Sequence, residues 1–205
     1  MAKKLPLIEL SFPITKKLFS QIDEAVRRAG YSEAIERSEL VSLPNTAEQF
    51  ASEVIYVVVN AGFSNRIAVP IFERCMAALQ SGRSSKIAFG HPGKTAAIDD
   101  IWKRRASLFR KLKKADDLIE FCATLPWTGP ITKYHVAKNM GADVAKPDVH
   151  LNRLAAPEGL SAQELCERLA KETGYRAATV DMILWRACAD GIIHSRQLNP
   201  GRTKK

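Results

Sequence analysis

Apolar residues recur at three- and four-residue intervals along most of this chain, a spacing that predicts amphipathic helices. In the first such segment Leu18, Ile22 and Val26 lie four residues apart. Glycines separate later segments, as Gly174 and Gly191 do near the carboxyl end. The pattern predicts an all-α protein with helices at residues 12–29, 47–61, 67–79, 96–113, 116–124, 128–140, 149–155, 161–173 and 177–190.

The segment 47–61 is apolar on nearly all sides towards its end, which predicts a helix buried at the centre of the fold. Its β-branched residues make a buried strand at 54–59 the competing interpretation. Asn45 resembles a helix cap before this segment, and Ser-Ala-Gln-Glu at 161–164 indicates a capping box before a later helix.

Few stretches depart from the helical pattern. We expect irregular structure at 31–44, an extended arm at 1–11 and a loose basic tail at 196–205. Strands have support only as short pieces, at 4–10 or at 192–195.

Composition indicates one compact unit or two small lobes, since the 205 residues are 46% apolar and 26% charged. Lys and Arg outnumber Asp and Glu by 31 to 22, a formal charge of +9 that favours a polyanionic partner. A solvated basic surface is the competing interpretation. No run approaches a membrane span and the amino end has no signal-like apolar region, which predicts a cytoplasmic protein without a membrane partner.

Two features argue against a bound metal or nucleotide. The cysteines Cys75, Cys122, Cys166 and Cys188 lie far apart, without the close spacing of zinc or iron–sulfur ligands, so we predict no metal and no cofactor. Residues 90–95, Gly-His-Pro-Gly-Lys-Thr, place two residues between their glycines where a Walker A loop needs four.

The stretch 125–153, LPWTGPITKYHVAKNMGADVAKPDVHLNR, has the strongest local pattern. Gly129 and Pro130 suit a tight turn into a helix, and such a turn can aim backbone N–H groups at a phosphate. Asp148 follows a Gly/Pro-containing loop and precedes another helix. Its carboxylate is therefore either a simple N-cap or a reactive group.

This stretch resembles the helix-hairpin-helix and aspartate loop of the DNA glycosylase superfamily that includes endonuclease III. Leu125, Pro126 and Gly129 match the hairpin, and residues 147–153 match the segment around the aspartate. In bifunctional members a nucleophilic lysine stands two positions after the glycine, where this chain has Ile131.

Lys133 is the nearest lysine to that hairpin position. It lies two residues further on, about 200° around a helix, and would replace the nucleophile only if the register of the hairpin slipped.

The resemblance implies two helical lobes with an active-site cleft between them. Residues 45–124 would form one lobe, and residues 1–44 with 125–205 the other, with the hairpin at 125–140 and the aspartate loop at 141–153. Asp148 would be the catalytic carboxylate. The implied DNA contacts are Trp127, Thr128, Gly129, Ile131, Thr132, Lys133 and Arg153. The candidates for the base pocket or the wedge are Tyr56, Asn60, Phe63, Asn65 and His150.

One position departs from the wedge of endonuclease III-like members. Gly62 occupies the place of their glutamine, so Phe63 or Asn65 would have to fill the space left by an extruded base. A glycine required only for a tight turn between two helices explains Gly62 equally well.

The function implied is a monofunctional DNA glycosylase that flips a damaged or modified base from double-stranded DNA and hydrolyses its N-glycosidic bond. The product would be an abasic site, made by a monomer whose hairpin is compatible with a monovalent cation. Genome repair and attack on modified phage DNA both stay open, as does the base excised. A noncatalytic helix-hairpin-helix DNA-binding protein and a helical protein-interaction domain are the alternatives.

Overall fold

The computed structural model describes residues 7–195. Within this range the chain forms α-helices and short 3-10 or π turns and contains no strand. The all-α prediction is therefore confirmed for the described residues. The helices are α1 (Lys16–Val26), α2 (Ser32–Leu40), α3 (Ala47–Asn60), α4 (Asn65–Gln80), α5 (Pro92–Leu112), α6 (Leu118–Ala123), α7 (Thr132–Asn139), α8 (Val149–Ala155), α9 (Ala162–Thr173) and α10 (Ala177–Ala189).

The helices divide into two compact units. The inserted unit is Ser42–Ala142, and the split unit comprises the described residues on either side, 7–41 and 143–195. The first predicted boundary, after residue 44, lies close to the observed junction. The second, after residue 124, differs from it, because α6 packs on α7 and α7 packs on α3. The hairpin therefore belongs to the inserted unit.

An apolar core holds the split unit together, with α1 packed against α9 and α10. Phe19 and Ile22 from α1, Leu165 from α9 and Ile183 from α10 are all buried in it. Leu151 adds α8 to the same core. The amphipathic stripes predicted from sequence thus fix the helix whose amino end carries Asp148.

In the inserted unit α3 is the central helix and packs against α4, α5 and α7. The ring of Phe50 lies 6.3 Å from that of Phe109 and 6.1 Å from that of Phe121. Burial outweighs the weak helix propensity of the β-branched residues, so the alternative strand at 54–59 is wrong. The buried residues of α3 are Phe50, Ala51, Val54, Ile55, Val57, Val58 and Val59.

The prediction of irregular structure at 31–44 is wrong, because α2 occupies most of it. A π turn joins α1 to α2, and Gly30 within it has a φ of 97° that few other residues adopt. Ile35 gives α2 its buried contact. One buried residue in a mostly polar segment was too weak a pattern to predict the helix.

The cap of α3 also differs from the prediction, since Thr46 and not Asn45 is the N-cap. The Thr46 hydroxyl accepts a hydrogen bond from the Gln49 N–H at 3.1 Å, and the Gln49 side chain accepts one from the Asn45 N–H at 2.9 Å. The capping box at 161–164 is confirmed, with both of its reciprocal hydrogen bonds present.

The predicted tail at 196–205 and the first part of the predicted arm, residues 1–6, lie outside the described residues. Residues 192–195 do not form the suggested strand, although the Ile8 N–H donates to the Ile192 carbonyl at 2.8 Å. Between residues 7 and 195 no helix has both the length and the apolar composition of a membrane-spanning segment.

A half-buried ion pair closes the split unit around the start of α1. The Glu158 carboxylate accepts hydrogen bonds from the Ile14 N–H and the Arg168 guanidinium, each at 2.8 Å. Arg168 also donates to the Ile14 carbonyl at 3.1 Å and pairs with Glu172 at 2.8 Å. The Glu158 side chain is only 8% exposed, whereas that of Glu172 is 35% exposed.

We expect Glu158→Ala to lower the free energy of unfolding by about 2 kcal/mol, since it removes the acceptor of the Ile14 N–H and one of the three acceptors of the partly buried Arg168 guanidinium. Glu172→Ala removes an exposed partner of the same arginine and should cost less than about 1 kcal/mol. Urea unfolding of the full chain measures both. Equal losses in the two variants would contradict this account.

Candidate functional site

The segment in which the sequence predicts a hairpin contains α6, a turn at 124–131 and α7. Asp117 caps α6 by accepting hydrogen bonds from two backbone N–H groups, and the Thr128 hydroxyl lies 2.7 Å from the Cys122 carbonyl oxygen. The second helix begins at Thr132, later than the predicted residue 128, because the turn continues through Pro130.

Three backbone N–H groups at the end of this turn are open. Within the described residues, the N–H groups of Gly129, Ile131 and Thr132 have no hydrogen-bond acceptor, while the Lys133 N–H bonds to the Gly129 carbonyl at 3.1 Å. Ile131 is 46% exposed. The open N–H groups at the amino end of α7 can donate to a phosphate, as the sequence predicts.

The side chain of Lys133 is directed to an acid. Its Nζ lies 3.0 Å from the Glu120 carboxylate, and this hydrogen bond raises the pKa of Lys133 above its ordinary value. An ammonium group held in this way is a poor nucleophile at neutral pH.

Trp127 takes an uncommon conformation in the hairpin turn. Its φ is 64°, in the left-handed region that non-glycine residues rarely occupy. The indole lies 5.3 Å from the His91 ring, and a Cβ added to Gly93 would come within 2.6 Å of it. The turn of the hairpin thus rests directly on the amino end of α5.

The observed amino end of α5 differs from the predicted one and lies in residues 90–95, the segment whose glycine spacing does not fit a Walker A loop. The His91 imidazole caps the helix by accepting the Lys94 N–H at 3.2 Å, and Pro92 suits its first turn. The helix therefore starts at residue 92 and not at 96. The composition of the segment, with a proline beside a potential capping side chain, was the available signal.

Lys94 is a buried lysine, 3% exposed, with no carboxylate among its hydrogen-bond partners in the described residues. Its Nζ lies 3.0 Å from the Val59 carbonyl oxygen and 2.5 Å from that of Ala61, at the end of α3. The same ammonium lies 4.7 Å from the centre of the Phe63 ring. Burial lowers the pKa of Lys94.

Four rings on the inserted unit follow one another from the α3–α4 turn to the hairpin. Phe63 lies 6.1 Å from Phe89, Phe89 lies 5.9 Å from His91, and His91 contacts Trp127 as described above. We call these four residues the aromatic row. Among these four residues, Phe63 was predicted from the sequence as a base-pocket or wedge candidate and Trp127 as a DNA contact, whereas Phe89 and His91 were not predicted as candidates.

The other predicted pocket residues of the inserted unit bond to one another. The Tyr56 hydroxyl donates to the Asn65 side chain at 2.9 Å, and the Tyr56 ring lies 5.5 Å from Phe72. The Asn60 carbonyl accepts the Phe63 N–H at 3.0 Å. Asn65 is thus fixed to α3 by Tyr56, whereas Phe63 is 38% exposed.

Asp148, in the split unit, is the N-cap of α8. Its Oδ1 accepts hydrogen bonds from the N–H groups of His150 at 2.9 Å and Leu151 at 3.1 Å. Its Oδ2 lies 3.3 Å from Nζ of Lys146, and the Asp148 side chain is 13% exposed. The carboxylate is therefore fixed in direction by two amides and paired with a lysine that the sequence did not single out.

Several side chains with polar or reactive groups lie near the Asp148 carboxylate or on the same helix. His150 Nδ1 lies 3.0 Å from the hydroxyl oxygen of the buried Ser195. Burial raises the pKa of the nearby Cys188 to about 11, which disfavours the nucleophilic thiolate at neutral pH. Arg153, in the last turn of α8, makes no hydrogen bond or ion pair with the described residues and can contact a phosphate.

Comparison of the chain with protein-family models, with curated proteins and with solved structures gives no match. Among residues 7–195 no three histidine, cysteine or acidic side chains come together as metal ligands. The four cysteines are free and separated.

We predict that Gly93→Ala displaces the Trp127 indole, because the new methyl group would overlap its six-membered ring. Gly90→Ala is the matched control, since a Cβ there meets nothing within 4 Å. The indole N–H signals in a ¹H–¹⁵N spectrum report the outcome. We expect the Trp127 signal alone to shift in Gly93→Ala, and an unchanged signal would contradict the contact.

Proposed function

We propose that this protein is a monofunctional DNA glycosylase, with Asp148 as its catalytic carboxylate. The observation that carries the proposal is the fixed carboxylate of Asp148 at the amino end of α8. In the sequence, this carboxylate comes shortly after the hairpin, which has three open N–H groups. Base flipping would bring the target nucleotide to the carboxylate.

The proposed reaction needs a negative charge held beside the sugar. Cleavage of the N-glycosidic bond builds oxocarbenium character, which a carboxylate stabilises, and the same group can take a proton from the attacking water. In Asp148 the two amide hydrogen bonds occupy Oδ1, so Oδ2 is the oxygen that would act. Lys146, its present partner, has a flexible side chain that can rotate away.

DNA is the partner that the charge of the inserted unit favours. The unit has 14 Lys and Arg residues and 8 Asp and Glu residues, a formal charge of +6 within the +9 of the whole chain. Cations of this kind contact phosphates without reading sequence, and the open amides of the hairpin add directed donors. Double-stranded DNA, bound by a monomer in the cytoplasm, is the partner we propose.

We propose hydrolysis without strand cleavage because this chain has Ile131 at the hairpin position where bifunctional glycosylases have a nucleophilic lysine. We do not propose Lys133 as its replacement, since the Lys133 ammonium is paired with Glu120. The product would be an intact strand with an abasic site.

A noncatalytic DNA-binding protein is the second candidate, and one observation favours it. Both oxygens of Asp148 have partners within the chain, as they would in a purely structural cap. Such a protein would bind DNA through the hairpin and release no base.

The first test is Asp148→Asn. Asparagine also caps helices, so α8 should persist while the negative charge is lost. We expect base release from a panel of duplexes, each with one damaged or modified base and including DNA with modified cytosines, to fall on the order of 10²-fold or more.

The matched control is Asp117→Asn, which changes a carboxylate that caps α6 in the same manner. It should retain wild-type base release. Retained release in Asp148→Asn would reject the role of Asp148. DNA binding by the wild type with no base released from any duplex would favour the noncatalytic candidate.

The second test is borohydride reduction of the protein in the presence of abasic-site DNA. An amine nucleophile would form an imine that borohydride converts to a stable adduct, and we expect none. An adduct would contradict the monofunctional proposal. Its loss in Lys146→Gln or in Lys133→Gln would then identify the amine.

A further inference from the structure

We propose that the aromatic row binds unpaired nucleobases of a DNA strand by stacking, while the open N–H groups of the hairpin bind the phosphate of that strand. The inference rests on the DNA partner proposed above, but it is independent of the chemistry at Asp148. It adds DNA with unpaired nucleotides to the ligands of the protein.

The residues at the two ends of the row are the most exposed of the four, and Lys94 Nζ lies over the Phe63 ring. Phe63 is 38% exposed and Trp127 is 44% exposed, and Phe89 and His91 lie half-buried between them. The spacing of consecutive ring centres is 5.3 to 6.1 Å, and each contact is tilted or edge-on. An edge-on contact leaves much of a ring face uncovered by its neighbour, and such a face can accept a base.

Contacts within the inserted unit hold both ends of the row in place. Lys94 fixes the turn that carries Phe63 by bonding to the last carbonyls of α3. Trp127 is held against Gly93 by the left-handed turn. Side chains that are ordered before binding lose little conformational entropy when a ligand arrives, so exposed aromatic rings of this kind suit a binding surface.

The charge around the row fits a polyanion. The segments 60–95 and 124–131, which contain all four rings, have five Lys and Arg residues and one acid, Glu73. The open N–H of Gly129 is two residues from Trp127 along the chain, and those of Ile131 and Thr132 follow it. Ring faces beside phosphate donors are the combination that single strands require.

The ligand must have exposed base faces. In a continuous duplex each base is covered above and below by its neighbours, so stacking on protein rings requires a strand that is single or locally unpaired. An apolar peptide would use the rings but would leave the cations and the open amides without partners.

The test compares equilibrium affinity for two single strands of equal length and charge at fixed salt. One contains thymidines, and the other contains abasic spacers on the same phosphate backbone. We expect the thymidine strand to bind on the order of tenfold more tightly, since base–aromatic stacking has about this effect. Phe63→Leu and Trp127→Leu should each lower that ratio several-fold.

Trp102→Leu is the matched control, because Trp102 is a half-buried tryptophan of the same unit whose ring lies 4.4 Å from the Arg105 guanidinium. It should leave the ratio unchanged. Equal affinity of the wild type for both strands would overturn the proposal. So would a wild-type ratio in both Phe63→Leu and Trp127→Leu variants that circular dichroism shows to be folded.

The two proposals fail separately. Base release that depends on Asp148, together with a thymidine-to-spacer ratio of one, would reject the stacking surface alone. A tenfold ratio that Asp148→Asn does not change, with no base release from any duplex, would reject the glycosylase alone.

Discussion

The candidate DNA surface of the inserted unit depends on the hydrogen bonds that the buried ammonium of Lys94 makes with backbone carbonyls. The ammonium bonds to the carbonyls that end α3, lies over the Phe63 ring and belongs to the first turn of α5. The amino-terminal turn of α5 also supports Trp127 through His91 and Gly93. Burial of a lysine disfavours its charged form, and the carbonyl dipoles at the end of α3 offset part of that cost. The α3–α4 turn and the hairpin turn are therefore positioned by one short segment.

In the proposed mechanism one group, Asp148 of the split unit, has a structural and a reactive role together. A cap requires only that a side-chain oxygen accept N–H groups, and Oδ1 of Asp148 does so. The two amide hydrogen bonds to Oδ1 also fix the direction of the second oxygen, Oδ2, because both oxygens belong to one planar carboxylate. Because fixed charges need no reorganisation during a reaction, the cap would strengthen the proposed catalytic role.

The periodicity of apolar residues predicted the long helices because buried apolar residues recur along most of their length, as they do in α3 and α10. It failed at α2, where Ile35 is the one buried residue, and at α6 to α7, where the turn delays the second helix to Thr132. Asp148 could be singled out because its local pattern is short and contiguous. Lys94 could not be singled out, because its acceptors are the backbone carbonyls of Val59 and Ala61, which are distant in sequence. Every residue has a backbone carbonyl, so the residue type at these positions gives no sign of the contact.

Lys146 gives the proposed hydrolysis a definite electrostatic sequence. Its ammonium neutralises Oδ2 of Asp148 at 3.3 Å in the free protein and also lies 5.6 Å from the centre of the Trp185 ring. A cation that leaves the carboxylate can therefore remain over the indole, where cation–π attraction offsets part of the lost ion pair. The carboxylate would be freed when the sugar arrives and develops positive charge of its own, so substrate cation would replace lysine cation beside Oδ2. In the proposed reaction, in which neither position 131 nor Lys146 supplies an amine nucleophile, water would attack the sugar.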